Sequence, residues 1–191
     1  MATLLLARHG ETDWNRDHRW QGSTGPPLNE VGRRQAAELA ARLRDIDAVY
    51  SSDSERARET AEIAGVRLGL AVRIDARLGE VDFGEWEGLT RQEIDLRHEG
   101  AFTRWEACER PNPAGVEEDE AMAERVLAAL CEIAARHADA RVLVVTSGGP
   151  IRAAQAHADG VEQASARRLI TTAANCALVE VAIRDELFTT V

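Results

Sequence analysis

Short apolar runs alternate with helical patterns along nearly the whole chain, and that alternation leaves few folds open. TLLLAR (3–8), DAVYSS (47–52), LAVRIDARL (70–78) and residues 141–146 read as strands. A helix is expected from about Asn29, a plausible N-cap, with Ala36, Leu39, Ala40 and Leu43 on one face. A second opens at Asp53 or Ser54 and ends at Gly65. Residues 90–110 are helical but irregular, and RPNPAG (110–115) interrupts them. A long helix over 117–137 carries Met122, Val126, Leu130 and Ile133 as a core stripe. A helix to Asp159-Gly160, a short helix near 162–168 and a β region at 177–191 close the chain. The pattern predicts an α/β three-layer sandwich, a mostly parallel central sheet with helices on both faces. No linker or repeat divides it, so 1–191 is expected to be one domain.

Composition excludes several function classes. The formal net charge of −10 argues against a nucleic-acid binder, although a local arginine cluster can still hold a small anion. All 23 basic residues are arginine, so arginine abundance by itself says nothing about function. Cys108, Cys131 and Cys176 are odd in number and widely spaced, as expected of reduced cytoplasmic thiols. No apolar run approaches the roughly 20 residues of a membrane span. The five histidines form no H-x-H or H-x-x-x-H pair, and neither a phosphate-loop lysine nor G-x-G-x-x-G is present, so no metal or nucleotide cofactor is expected.

Ligands of such folds bind beyond the carboxyl ends of the strands, and four loops qualify: 8–24, 51–56, 78–88 and 146–150. The first supplies Arg8, His9, Gly10 and Asn15. Arginine presents a planar fork to phosphate, and neutral imidazole is a nucleophile towards phosphorus. Taken alone, RHG reads first as a histidine satisfied by a backbone carbonyl at a strand end. Arg56 is either a second phosphate clamp or a solvated helix residue beside Glu55 and Glu59. The loop with Glu80, Asp82, Glu85 and Glu87 holds either a general acid or an acidic surface. In LVVTSGGPIR (143–152), Gly148 and Gly149 can expose backbone amides that suit an anion at a helix N-terminus, with Pro150 expected at the first helical position. Ser147 lacks the G-x-S-x-G context of a serine nucleophile.

LLLARHGETDWN, PLNEVGRRQAAELA, YSSDSERARETAEI, LGEVDFGEWEGL and VVTSGGPIR occur in an order and spacing that resemble the histidine phosphatase superfamily, the phosphoglycerate-mutase-like or RHG family. The resemblance runs from residue 3 to the last β region. It implies a phosphatase that hydrolyses a small phosphate monoester, with His9 as the nucleophile that becomes phosphohistidine. Arg8 and Arg56 would clamp the phosphoryl group, and Glu80 would protonate the leaving alcohol. Asn15, Gln21, Gly22 and Gly148 would line the substrate pocket. It implies a metal-independent, acid-type enzyme with no cofactor. The expected partner is a small phosphorylated metabolite, with neither nucleic acid nor membrane, in a monomer or homodimer.

The chain departs from the family pattern at two places. Ser147 stands where the family usually has a second, charged histidine; His18 is the one other histidine near enough in the loops to test as its replacement. Gly25 stands where an acid often precedes Pro-Leu, with an expected effect on loop geometry. The stretch between Gly88 and Val116 is short for a cofactor-dependent mutase, which favours hydrolysis; residues 88–116, with Arg91, Arg97, Phe102, Arg104, Trp105 and Arg110, are expected to form a helical cap. The alternatives are a cofactor-dependent phosphoglycerate mutase and, because of Ser147, a weakly active or non-catalytic phospho-ligand-binding relative.

Overall fold

The computed structural model describes residues 1–109, 112 and 115–190; Arg110, Pro111, Pro113 and Ala114 of the RPNPAG stretch lie outside the described residues. The elements follow in chain order. β1 (Ala2–Arg8), a one-turn α1 (Asp13–Arg16), α2 (Glu30–Arg42), β2 (Ala48–Ser51), α3 (Glu55–Leu68) and β3 (Val72–Ile74) form the first half. α4 (Arg91–Arg97), α5 (Ala101–Glu106), α6 (Asp119–Arg136), β4 (Arg141–Thr146), α7 (Gly148–Ala158), α8 (Gln163–Leu169), β5 (Leu178–Arg184) and β6 (Leu187–Thr190) form the second.

Among the described residues the strands make one sheet in the order β3-β2-β4-β1-β5-β6. The four strands from β3 to β1 are mutually parallel, and β5 and β6 add antiparallel at one edge. Leu4–Ala7 of β1 and Val142–Val145 of β4 are apolar without alternation because both faces are covered. Their side chains alternate between two cores. Leu4, Leu6, Val142 and Val144 pack with Met122, Val126, Leu130 and Ile133 of α6, whereas Leu5, Ala7, Leu143 and Val145 pack with Ala36, Leu39 and Ala40 of α2 and Ala57, Ala61 and Ala64 of α3. The three-layer sandwich expected from the alternation is the fold observed.

Local structure departs from the sequence pattern at three places. α3 continues past Gly65 and stops at Gly69, a left-handed C-cap. Gly65 is inside the helix because a Cβ there would stand 2.7 Å from the Leu70 carbonyl. The third strand keeps only Val72–Ile74 of the expected 70–78, since the Asp75 side chain accepts from the Arg77 amide and starts a 3-10 turn at Ala76–Leu78. The aperiodic 8–24 loop contains α1, nucleated by a reciprocal capping pair in which Thr12 accepts from the Asn15 amide at 3.1 Å and Asn15 from the Thr12 amide at 3.2 Å. Asn29 caps α2 as expected, accepting from the Gly32 amide at 2.8 Å.

The carboxyl ends of β1, β2 and β4 therefore open on the same side of the sheet. α5 brings Phe102 and Trp105 there, into a cluster with Trp20, Phe83 and Trp86 whose ring centroids lie 5.0–6.1 Å apart.

Candidate active site

His9 sits directly beyond β1, 2 % exposed, with its amide donating to the Thr146 carbonyl of β4 at 2.9 Å. Its ring is held from both sides. Nδ1 lies 2.8 Å from the Gly10 carbonyl, and Nε2 accepts from Arg56 Nε at 3.2 Å. A carbonyl can only accept and a guanidinium can only donate, so both contacts require the proton on Nδ1 and the lone pair on Nε2. Burial, reinforced by Arg56 and Arg8, holds the His9 pKa well below the usual imidazole value, against the Gly10 hydrogen bond. The imidazole is thus neutral near pH 7, with its lone pair on Nε2 engaged by Arg56.

Arg56, in the first turn of α3, is 2 % exposed. Nη1 donates to the Thr24 carbonyl at 3.0 Å and Nη2 to the Gly22 carbonyl at 2.7 Å. Glu87 in turn fastens that loop, accepting from the Ser23 amide at 2.8 Å and the Thr24 amide at 2.9 Å. Gly25 belongs here for a steric reason: at φ +134°, a Cβ would press on Arg56 Nη1 and Gln21 Oε1, each at 3.3 Å. Arg8 reaches the Ala173 carbonyl through Nη1 at 2.8 Å, while its buried Nε has no partner among the described residues. Burial lowers the pKa of both arginines and Glu80 opposes it; both stay charged at any working pH.

Of the four acids between 80 and 87, Glu80 alone lines the His9 cavity. Its carboxylate accepts from the Val81 amide at 2.9 Å and, through both oxygens, from the Gly149 amide at 3.1 Å. The α7 N-terminus does hold an acidic group, and through Gly149 that group is the chain's own Glu80 carboxyl. A Cβ on residue 149 would stand 2.1 Å from Glu80 Oε1, so only glycine permits the approach. Behind Glu80, Arg125 of α6 uses all five of its N–H groups. It donates to the carbonyls of Arg77, Gly79 and Glu80 at 2.8–2.9 Å and to both oxygens of Glu117 at 2.8 Å.

The cavity is about 400 Å³. Arg8, His9, Glu80, Gly148 and Gly149 form its floor, and Trp14, Trp20, Phe83, Phe102 and Trp105 form an aromatic wall. Asn15 and Gln21 line it as expected; Gln21 Nε2 donates to Thr12 Oγ1 at 2.7 Å and Asn15 is tied to Asn175 at 3.2 Å. Gly22 instead lines the neighbouring cavity of about 540 Å³, and it serves the site through its carbonyl on Arg56. His18 lines the mouth, and His157 packs on Phe188 at 4.8 Å, far from any polar role. Ser147 is 1 % exposed, behind Gly148, and its Oγ has no partner among the described residues. Of the expected cap residues, Arg91, Phe102 and Trp105 line the cavity, Arg97 and Arg104 do not, and Arg110 lies outside the described residues.

Three contributors escaped the reading of the sequence. Arg152 and Thr172 line the cavity, and Asn175 Nδ2 donates to the His9 carbonyl at 2.9 Å. Arg152 was legible, being four residues after Gly148 and so on the same face of α7. Thr172 and Asn175 sit in a stretch without periodicity and carry no signal.

A family model described as histidine phosphatase superfamily, branch 1, matches residues 4–191. The chain belongs to the histidine phosphatase superfamily. It is 38 % identical over 157 residues to phosphoglycerate mutase-like protein 4 of Arabidopsis thaliana, covering 79 % of this chain and 68 % of that one. It is 37 % identical over 163 residues to glucosyl-3-phosphoglycerate phosphatase of Mycobacterium tuberculosis, covering 80 % and 73 %. Among solved structures, Bacillus stearothermophilus YhfR superposes with a TM-score of 0.92 at 33 % identity, over 100 % of this chain and 95 % of that one. Of these relatives the mycobacterial protein is named a phosphatase, and phosphohistidine chemistry is general to the family.

Proposed function

We propose that the chain is a metal-independent phosphatase of small phosphate monoesters, working through a phosphohistidine on His9. The observation that carries the reading is the fixed tautomer of His9, a neutral ring with its Nε2 lone pair facing Arg56. Substrate phosphoryl oxygens take the Arg56 Nε–H from the imidazole and the unpartnered Nε–H of Arg8. His9 Nε2 then attacks phosphorus as the ester P–O bond breaks, and a proton from the Glu80 carboxyl passes to the leaving oxygen. In the second half, Glu80 accepts a proton from water, the water oxygen bonds phosphorus, and the P–N bond returns its electron pair to Nε2. Two buried guanidinium groups supply the charge stabilisation. The hydroxyl of Ser147 turns towards the phosphoryl group as a neutral donor.

Nitrophenyl phosphate at mildly acidic pH in the presence of a chelator tests the reading. Phosphate release that vanishes in His9→Ala is the expected result. Turnover equal to that of His9→Ala, across this ester and a panel of phosphometabolites, would overturn it. No interconversion of 2- and 3-phosphoglycerate is expected when bisphosphate primer is added.

A further inference from the structure

Asn15 reaches the His9 cavity from α1, and the direction of its amide sets whether it offers that cavity a donor or an acceptor. Two neighbours fix the direction. The Thr12 amide lies 3.2 Å from Asn15 Oδ1, and a backbone N–H can only donate, so the atom facing it is the oxygen. Asn175, in the loop between α8 and β5, brings its Nδ2 to 3.2 Å from the same oxygen. The direction of the Asn175 amide is settled in turn by the His9 carbonyl, which can only accept and lies 2.9 Å from Nδ2. Asn15 Oδ1 thus takes two donors, while its Nδ2 has no partner among the described residues.

The loop that carries Asn175 is pinned to the end of β1 on both sides of that residue. Arg8 Nη1 donates to the Ala173 carbonyl at 2.8 Å, the Cys176 amide donates to the Arg8 carbonyl at 3.0 Å, and the Arg8 amide donates to the Ala177 carbonyl at 3.3 Å. Arg8 is the last residue of β1 and His9 follows it, so the backbone that carries the nucleophile also places Asn175. A relay therefore runs from the His9 carbonyl through the Asn175 amide to the Asn15 amide, and it ends on an NH2 group in the cavity that holds Arg8 and His9. Phosphoryl oxygens of a dianion only accept, so a single orientation of Asn15 serves them. Without Asn175 one hydrogen bond would hold that orientation in place of two. Asn175 itself does not line the cavity.

We infer that Asn175 is a positioning residue: it turns the Asn15 amide so that the NH2 group, and not the carbonyl oxygen, meets the phosphoryl oxygens. This rests on the phosphatase reading above. The test follows nitrophenyl phosphate hydrolysis by the full chain from pH 5 to 8. Asn175→Ala should lower kcat/KM about tenfold in the wild type, but only about twofold or less in Asn15→Ala, which has no amide to orient. Asn175→Asp keeps the shape, but its ionised carboxylate presents only acceptors to the His9 carbonyl and to Asn15, so Asn15 turns its oxygen towards the anion. Relative to the wild type, Asn175→Asp should be poorer than Asn175→Ala at pH 8 and should recover about tenfold towards pH 5, as its carboxyl gains a proton to donate. The Asn175→Ala ratio should stay flat over that range. A loss that is the same in both backgrounds, an Asn175→Asp ratio that does not change with pH, or Asn175→Ala at wild-type activity would each overturn the inference. Thermal melts accompany both variants, and each readout stands alone if the other variant does not fold. Absence of hydrolysis in the wild type is a failure of the phosphatase reading instead; the double-mutant comparison is then read from inorganic phosphate affinity by titration calorimetry.

Discussion

Ser147→Ala should make the protein more stable and less active. The Ser147 hydroxyl is buried and has no partner among the described residues. A buried hydroxyl without a hydrogen bond costs about 1–3 kcal/mol relative to a satisfied or apolar group, so its removal should stabilise the resting enzyme by about 1 kcal/mol. For a domain of this size that is a rise of roughly 2–4 °C in Tm. Only one oxygen atom is removed, so the space left is too small for a cavity cost to cancel the gain. If the hydroxyl turns to a phosphoryl oxygen during reaction, its loss should lower kcat by about 100-fold, the lower end for an oxyanion donor, with a smaller change in KM. Thermal melts and steady-state kinetics on one preparation read both quantities. A stabilised variant with kcat within twofold of the wild type would refute the donor role of Ser147. A destabilised variant would refute the premise that the hydroxyl is unsatisfied.

Other outcomes follow from the same geometry. The depressed pKa of His9 means that the unfolded chain binds more protons than the folded one between that low value and about 6.5, so stability should rise with pH across this window and level off above it. His9→Gln should flatten the slope in urea titrations run from pH 4 to 8. Arg125→Ala frees the backbone that carries Glu80. It should therefore slow hydrolysis of an alkyl phosphate about tenfold more than that of nitrophenyl phosphate, whose leaving group needs little protonation; equal losses would reduce Arg125 to a general structural part. Arg167 pairs with Asp119 at 2.7 Å, with both side chains 6 % exposed, and stacks 4.0 Å from the Trp105 ring. Arg167→Ala should cost about 3 kcal/mol, a fall of roughly 6–12 °C in Tm.

The layered fold was legible because period and length distinguish a buried strand such as LLLA from the stripe of Met122, Val126, Leu130 and Ile133. Strand ends told where Arg8, His9 and Glu80 would meet. Helix boundaries were less legible where tertiary contact decides them: Gly65 reads as a stop, yet it is a small residue required beside the Leu70 carbonyl, and the stop is Gly69. The electrostatics of the site were hidden for the same reason. Gly149 was expected to offer its amide to a ligand, but Glu80, from a loop 69 positions away, already accepts it. The commitments of Arg19 and Arg91 to Glu93 and Glu106 depend on pairings that no spacing reveals.

A phosphoenzyme at His9 is tested most directly by the stereochemical course at phosphorus, whether or not the intermediate accumulates. A thiophosphate ester made chiral with oxygen-18 is hydrolysed in oxygen-17 water, and the configuration of the inorganic thiophosphate is determined. Two in-line displacements, first by His9 Nε2 and then by water, predict net retention. Net inversion would mean that water attacks the ester directly, and would contradict the nucleophilic role of His9.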